Sequence, residues 1–180
     1  MQINSIRGFA TLLSEVKIVD SPKICELRNQ NNKYLSSTKQ ITKAQQEQWI
    51  INNIKRNDSY YFKVVDLKDM NIVGTISLYD IKDGAAEFGR YICNKTLQAV
   101  ESELLILKYG FEIIKLDRIY CRTMEDNKLV WNQHYKYGFK DLKLEYFEKK
   151  EVYLKVQELT KENYFKYDYS RIRKNISINI

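Results

Sequence analysis

Residues 85–139 read AAEFGRYICNKTLQAVESELLILKYGFEIIKLDRIYCRTMEDNKLVWNQHYKYGF, and the period of their hydrophobic residues changes several times. Asp126 or Asn127 can cap a short helix here, and Gly138 marks its end. The pattern predicts a strand over 86–93, a long amphipathic helix beginning near Ala99, a strand over 116–123 and a short helix over 128–137. Strands and helices thus alternate, as in a mixed α/β domain.

Capping signals and strand-forming runs place further elements on both sides of this stretch. Ser21 before Pro22 starts a helix, because serine caps the amides and proline has the φ of a first helical position. Thr42 and Gln45 have the spacing of a capping box and start a second helix. The predicted bounds are 22–31 and 43–55 for these helices, 60–67 and 71–81 for one hairpin, and 139–147 and 152–157 for another.

Composition indicates one globular domain over residues 1–180, of the α/β (α+β) class, with a mixed sheet and helices on both faces. The chain is 44% hydrophobic and 29% charged, which is typical of a folded protein rather than a disordered one. No apolar run approaches the roughly 20 residues that span a bilayer, and the N-terminus lacks the features of a secretory leader. We therefore expect a cytoplasmic protein that does not associate with membranes.

The cysteine and histidine content argues against a metal centre. Cys25, Cys93 and Cys121 are odd in number and far apart, which predicts reduced thiols rather than disulfides. The chain has 1 histidine and no Cys-x-x-Cys pair. A structural zinc site is therefore not expected, and we predict no bound metal.

A formal charge of +7 raises the question of nucleic-acid binding. The basic residues are scattered, and the densest patch, YFKYDYSRIRKN over 164–175, is short. The 14 tyrosines do not form the strand pattern of an RNA-binding platform. The charge therefore predicts a basic surface that attracts anionic small molecules, such as coenzyme A or nucleotide-linked sugars, and not a nucleic-acid-binding protein.

The order of the elements resembles the acyl-CoA-binding half of the GNAT superfamily of N-acetyltransferases, with Asn127 opening the last helix and Gly138 and Phe139 closing it. The segment LRN (27–29), the helix start ITKAQQEQWI (41–50) and the tail VYLKVQELTKENY (152–164) are similar to the branch with amino-sugar and ribosomal-protein N-acetyltransferases. The resemblance implies a mostly antiparallel sheet in which two central strands splay apart to hold acetyl-CoA as co-substrate.

The same resemblance implies which residues contact the cofactor. They are Tyr91, Ile92 and Cys93 on the splayed strand, Gln98, Ala99, Val100, Glu101 and Ser102 at the start of the long helix, and Asn127 after the next strand. One departure concerns the family's phosphate loop, Q/R-x-x-G-x-G/A, whose glycine positions hold Ala99 and Glu101 when Thr96 takes the first position. Either the loop is shifted by one or two residues, or coenzyme A binding is weakened by the Glu101 carboxylate.

Three side chains are catalytic candidates by resemblance. His134 occupies the position at which many family members have a tyrosine that protonates the departing thiolate, and Tyr135 is its neighbour. Glu87 stands where several members have the base that deprotonates the acceptor ammonium. A half-buried structural histidine, and a strand-edge glutamate paired with a surface lysine, are the alternative interpretations.

Substrate contacts are predicted for Arg28 and Asn29 on the first helix and for Arg90, which pairs with Glu87 or faces an anionic substrate. The leading hypothesis is transfer of acetyl from acetyl-CoA to a primary amine, with a nucleotide-linked amino sugar as first expectation. A protein N-terminus and a small polyamine are the other acceptors considered. A non-catalytic ligand sensor with a degenerate phosphate loop is the alternative class, and a homodimer is compatible with either.

Overall fold

The computed structural model describes residues 4–35 and 39–178, so the two ends of the predicted domain at residues 1 and 180 lie outside the described residues. One eight-stranded sheet forms the centre of the molecule, in the order β1-β2-β3-β4-β5-β6-β8-β7. The strands are β1 (Ser5–Arg7), β2 (Thr11–Glu15), β3 (Ser59–Asp66), β4 (Ile72–Lys82), β5 (Ala85–Cys93), β6 (Arg118–Met124), β7 (Lys140–Phe147) and β8 (Val152–Thr160). Only β5 and β6 run parallel; the other neighbours are antiparallel, as expected.

Helices cover both faces of the sheet. They are α1 (Ser21–Gln30), α2 (Lys43–Ile54), α3 (Thr96–Lys108), α4 (Lys128–Tyr135), α5 (Lys161–Lys166) and α6 (Ser170–Ile178). The main core lies between the sheet and α3, where Ile106 and Phe111 pack with Phe62, Ile76 and Leu78. A second buried cluster of Val16, Ile24, Ile50 and Tyr61 lies beneath α1 and α2 on the opposite face.

Most predicted elements are confirmed within a few residues. The capping box is present, since the Thr42 hydroxyl accepts from the Gln45 amide at 3.2 Å and the Gln45 side chain accepts from the Thr42 amide at 2.8 Å. Gly138 has a φ of +88°, the left-handed conformation expected at a helix end. All three cysteines are free thiols.

Three expectations about the fold need correction. Helix α3 begins at Thr96, three residues before the predicted start near Ala99, because its first turn is not apolar enough to show in the period. The element order expected from the sequence begins with one strand and ends with the hairpin over 139–157, whereas the structure begins with two strands, β1 and β2, and adds helices α5 and α6 after the hairpin. Among the described residues, no helix is long and apolar enough to cross a membrane.

Candidate active site

Strands β5 and β6 separate in the middle of the sheet. Their parallel pairing extends only from Ala85 opposite Arg118 to Phe88 opposite Cys121. Strand β5 continues to Cys93 without β6 as a neighbour, while β6 pairs with β8 over its full length. The β5 backbone beyond Phe88 therefore has one edge unpaired, which a ligand with amide groups can use as a missing strand would.

The amino end of α3 lies directly after this unpaired edge. Ala99 already donates its amide to the Lys95 carbonyl at 2.9 Å, so the amides from Ala99 onward belong to the helical ladder. The first-turn amides of Thr96, Leu97 and Gln98 have no carbonyl four residues earlier in the helix to bond. An anion at this helix would therefore meet residues 96–98, and not the backbone of Val100, Glu101 or Ser102.

Glu101 does not face the anion site. Its carboxylate is 3% exposed and accepts the amides of Phe9 at 2.6 Å and Ala10 at 2.8 Å, between β1 and β2. A Cβ on Gly8 would lie 2.4 Å from a Glu101 oxygen, so a larger residue at position 8 would require this carboxylate to shift. Glu101, which replaces a glycine of the family's phosphate loop, thus stabilises the turn between β1 and β2. Its carboxylate, which was expected to weaken anion binding, points away from the anion site.

The other predicted cofactor contacts divide between the opening and the core. Tyr91 turns toward α3, where its hydroxyl donates to the Ala99 carbonyl at 2.9 Å, and Ser102 donates to the same carbonyl at 2.9 Å. Burial raises the pKa of the Cys93 thiol to about 11, so this cysteine stays protonated at neutral pH. Asn127 is the N-cap of α4, yet its side chain makes no cap hydrogen bond. The side-chain amide of Asn127 is therefore available to a ligand.

Glu87 lies on the face of β5 opposite to α3 and is 6% exposed. Tyr79 donates its hydroxyl to one carboxylate oxygen at 2.7 Å, and Arg122 donates to the other at 2.8 Å. Burial raises the pKa of the Glu87 carboxyl above its ordinary value, although the Tyr79 bond and the Arg122 charge oppose the shift. Each oxygen keeps a free lone pair, so the carboxylate can accept a proton.

A β-bulge aims Arg90 toward the same face. Thr75 pairs with Ile92 and Ser77 with Gly89, so two residues of β5 oppose one of β4, and Arg90 takes a φ of +50°. Its guanidinium lies 4.0 Å from the centre of the Tyr79 ring and donates to Asn53 Oδ1 at 2.8 Å. Arg90 therefore does not pair directly with Glu87; both contact Tyr79 instead.

His134 lies at the closed end of the opening, against Phe88 and Cys121. Its Nδ1 is 3.0 Å from Gln157 Oε1, and the Gln157 amide nitrogen donates to the Trp131 carbonyl at 3.2 Å. Because that nitrogen is occupied, Gln157 presents its oxygen to the imidazole, and the proton lies on Nδ1. His134 Nε2 then carries a lone pair, and it has no partner among the described residues.

Burial also decides the charge of this histidine. It lowers the pKa of His134 to about 4, so the imidazole is fully neutral at physiological pH rather than partly protonated as its ordinary pKa implies. Tyr135 lies outside the opening: it is 38% exposed and its hydroxyl donates to Asp141 at 2.8 Å. The expected alternative of Tyr135 as the acid therefore lacks a geometric basis.

Glu103 is a buried carboxyl that the sequence pattern does not reveal, since its spacing is also compatible with the polar face of α3. It is 2% exposed, accepts from Gln133 of α4 at 2.8 Å, and burial raises its pKa to about 8. The available sequence signal is that Glu103 precedes the apolar residues Ile106 and Leu107 by about one helical turn. This spacing alone does not distinguish a core position from a surface position. Glu103 is thus an uncharged hydrogen-bonding group between α3 and α4 at pH 7.

The two candidates on α1 have different surroundings. Asn29 uses both ends of its amide to hold Ile41, donating to its carbonyl at 2.9 Å and accepting its amide at 3.0 Å. Arg28 is half-buried, and its charge, like that of Arg90, lowers the pKa of Tyr61 against the rise caused by burial. Arg28 remains a substrate candidate, whereas Asn29 fastens the loop before α2.

Comparison with known proteins identifies the family. The profile described as acetyltransferase (GNAT) domain matches residues 11–140, so the chain belongs to the GNAT acetyltransferases, a family of acetyl-CoA-dependent N-acetyltransferases. No curated protein matches the sequence significantly.

Three solved structures illustrate the likeness. The apo form of FdhC, a nucleotide-linked sugar GNAT, is 25% identical with a TM-score of 0.81, covering 94% of this chain and 97% of its own. Spermidine N-acetyltransferase from Vibrio cholerae, in complex with CoA and spermine, is 21% identical with a TM-score of 0.77, covering 87% and 98%. A GCN5-related N-acetyltransferase from Brucella melitensis is 15% identical with a TM-score of 0.78, covering 97% and 84%.

Proposed function

We propose that this GNAT acetyltransferase binds acetyl-CoA in the opening between β5 and β6 and transfers the acetyl group to a primary amine held on the Glu87 face. The observation that carries the proposal is the end of β5–β6 pairing at Phe88, directly before the free first-turn amides of α3. An unpaired strand edge suits the amide groups of a pantetheine arm, and the positive end of a helix suits a pyrophosphate. The uncommitted Asn127 side chain adds a third polar contact.

Glu87 is the proposed base. Acetyl-CoA, when bound, supplies an activated thioester carbonyl, which only an unprotonated amine attacks. An alkyl ammonium has an ordinary pKa of about 10.4, so most acceptor molecules arrive protonated at pH 7. Glu87 accepts that proton directly or through a water, while Tyr79 and Arg122 hold the carboxylate in position.

The departing thiolate does not require His134 as an acid. With its proton on Nδ1, the imidazole has no N–H at Nε2 to donate, and its pKa of about 4 keeps a second proton away. A thiol has an ordinary pKa of about 8.5, so a thiolate is a tolerable leaving group near neutrality. We therefore assign His134 a positioning role at the closed end of the opening, in place of the general-acid role expected by resemblance.

The acceptor that fits the charges is an anionic amine, such as a nucleotide-linked amino sugar. Arg90 and Arg122 flank Glu87, and Arg28 lies beside the same face. Guanidinium groups bind phosphates through several hydrogen bonds and repel a polyamine. The likeness to a nucleotide-linked sugar GNAT supports this choice over the polyamine and peptide alternatives.

Thiol release with a panel of acceptors tests the proposal. We expect turnover with nucleotide-linked amino sugars well above that with spermidine or an N-terminal peptide at equal concentration. Arg90→Met should raise KM for the nucleotide-linked acceptor about 10-fold through the lost charge contact, and should leave the KM for acetyl-CoA unchanged. Preference for spermidine would contradict the anionic acceptor.

A binding measurement separates an enzyme from a sensor. Acetyl-CoA at 100 times its dissociation constant should stabilise the fold by about 2.7 kcal/mol. Stabilisation without thiol release for any acceptor would favour the non-catalytic sensor, and the absence of stabilisation would contradict the proposed cofactor site itself.

A further inference from the structure

A surface cleft of about 260 Å³ lies where α5 and α6 meet the turn that follows α3, Tyr109–Ile113. Its charged side chains are Glu112, Asp168 and Arg173, and its walls are the aromatic rings of Tyr164, Phe165, Tyr167 and Tyr169. The cleft lies beyond the carboxyl end of α3, whereas the proposed cofactor opening is at the amino end of that helix. An apolar cleft with a few charged groups is typical of a small-molecule site.

Two of the aromatic walls are fixed by the core. The Tyr164 ring stacks on Phe111, with ring centres 4.7 Å apart, and lies 5.4 Å from the ring centre of Tyr169. Tyr169 donates its hydroxyl to the Tyr137 carbonyl at 2.9 Å. Tyr164 is 5% exposed and Tyr169 is 7% exposed. A ligand therefore does not have to order these two side chains when it binds.

The charged groups of the cleft are not equally occupied. Within the part of the chain that the structure describes, neither Glu112 nor Arg173 forms an ion pair. Glu112 Oε1 accepts the Tyr164 hydroxyl at 2.6 Å, which leaves Oε2 open. Asp168 is committed, because its two oxygens accept the amide and the hydroxyl of Ser170, each at 2.9 Å. The cleft thus offers one open carboxylate oxygen and one open guanidinium.

We propose that this cleft binds a free α-amino acid with an apolar or aromatic side chain. Its ammonium group donates to Glu112 Oε2, its carboxylate accepts from the Arg173 guanidinium, and its side chain lies on the aromatic walls. A ligand with only a positive charge is repelled by Arg173, and one with only a negative charge is repelled by Glu112. An uncharged ligand covers both groups without giving either a partner. The site does not rest on the proposed function.

Calorimetry with L-phenylalanine and two truncated analogues tests how the ligand is recognised. Phenethylamine keeps the ring and the ammonium but lacks the carboxylate, whereas hydrocinnamate keeps the ring and the carboxylate but lacks the ammonium. Each lost charged contact should raise the Kd about 10-fold or more relative to L-phenylalanine. No binding of L-phenylalanine at millimolar concentration would overturn the proposal, as would an analogue that binds as tightly as the amino acid.

Substitutions in the cleft assign the two contacts. Arg173→Met removes the charge and should raise the Kd of L-phenylalanine about 10-fold, while the Kd of phenethylamine stays the same. Glu112→Gln keeps an oxygen for the Tyr164 hydroxyl, and should weaken L-phenylalanine and phenethylamine but not hydrocinnamate. Because each variant retains its affinity for one analogue, a misfolded protein cannot produce this pattern. Uniform weakening of all three compounds, or none, would contradict the assigned contacts.

Arg171→Met is the matched control, since Arg171 is exposed on the same helix and does not line the cleft. It should leave the Kd of L-phenylalanine unchanged, and so should Glu87→Gln. Loss of L-phenylalanine binding in Glu87→Gln, with normal binding in Arg173→Met, would place the amino acid at the proposed active site and overturn the proposal. Every readout measures amino-acid binding and not acetyl transfer, so the cleft and the proposed function can fail separately.

Discussion

The two faces of strand β5 hold polar groups in opposite electrostatic states. On the face toward α3 and α4, Glu103 and His134 are deeply buried without a charged partner, and burial moves both pKa values toward the neutral form. On the other face, Glu87 has Tyr79 and Arg122 on its two oxygens. The difference lies in partners rather than in burial, since Glu87 and Glu103 are 6% and 2% exposed.

In the proposed function, the two faces of β5 have different roles in acetyl transfer. In this proposal, the neutral side chains of Glu103 and His134 do not compete for the proton of the acceptor, and they leave the closed end of the opening uncharged. A hydrogen-bonded carboxylate on the acceptor face can exchange protons with an ammonium. The comparison predicts that changes on the neutral face alter stability and its pH dependence, whereas changes on the charged face alter the rate.

The largest effect is expected from Glu103→Gln. Because folding must place a proton on Glu103 between its ordinary pKa near 4.5 and its folded pKa of about 8, the folded state binds the extra proton and stability falls as pH rises through this window. The full loss is roughly 3–5 kcal/mol at pH 8 and above. Urea unfolding at pH 5 and pH 8 should show that the variant lacks this decline and is the more stable protein at pH 8.

Glu125→Gln makes the same chemical change at an exposed position and should retain the wild-type decline. If Glu103→Gln unfolds with the wild-type pH dependence, Glu103 is ionised in the folded state, and the conclusion that this face of β5 is uncharged is wrong.

His134 gives a linkage of opposite sign. Its folded pKa of about 4 lies below the ordinary 6.5, so as pH falls through this window the unfolded state takes up a proton that the folded state refuses. Stability should fall by about 2 kcal/mol between pH 6.5 and pH 5 from this group. Since the chain has 1 histidine, the Cε1–H resonance of its imidazole can be assigned directly and should stay constant from pH 8 to pH 5. A titration midpoint near 6.5 would restore the general-acid role.

A smaller effect is expected from Thr96→Pro at the start of α3. Thr96 is the first helical residue, a position that proline favours. Lys95 before it is extended, with φ −123° and ψ 126°, as a residue that precedes proline prefers. The change removes one first-turn amide, which should raise the Kd for coenzyme A about 10-fold in calorimetry. Thr96→Ala keeps that amide and serves as the control. Equal affinity for the two variants would place the pyrophosphate elsewhere.

Much of the fold was predictable because strong local signals agree with it. The Thr42 capping box, the Gly138 stop and the alternation of the last hairpin each depend on neighbouring residues, and each is confirmed. Helices α5 and α6 were missed because they are short, with six and nine residues, and so show fewer than three turns of a helical period. The splay itself entered only through the resemblance, since no local pattern reports where two parallel strands stop pairing.

The candidate site was less predictable, because its chemistry depends on contacts between distant segments. Glu101 was expected to disturb the anion site, yet it braces the loop of Phe9 and Ala10, which lies more than ninety residues earlier in the chain. The tautomer of His134 depends on Gln157, which reaches it from β8. Spacing along the sequence carries no information on either contact.

The rate of acetyl transfer as a function of pH, compared between the wild type and Glu87→Gln, tests the central claim most directly. Glutamine keeps the shape but cannot take a proton from the acceptor ammonium. We predict that kcat/KM of the variant is lower by roughly 100-fold or more at pH 7, and that the two profiles converge as the pH approaches about 10.4, where free amine becomes abundant. Parallel profiles, displaced by a constant factor or coincident, would contradict Glu87 as the base and leave it only a positioning role.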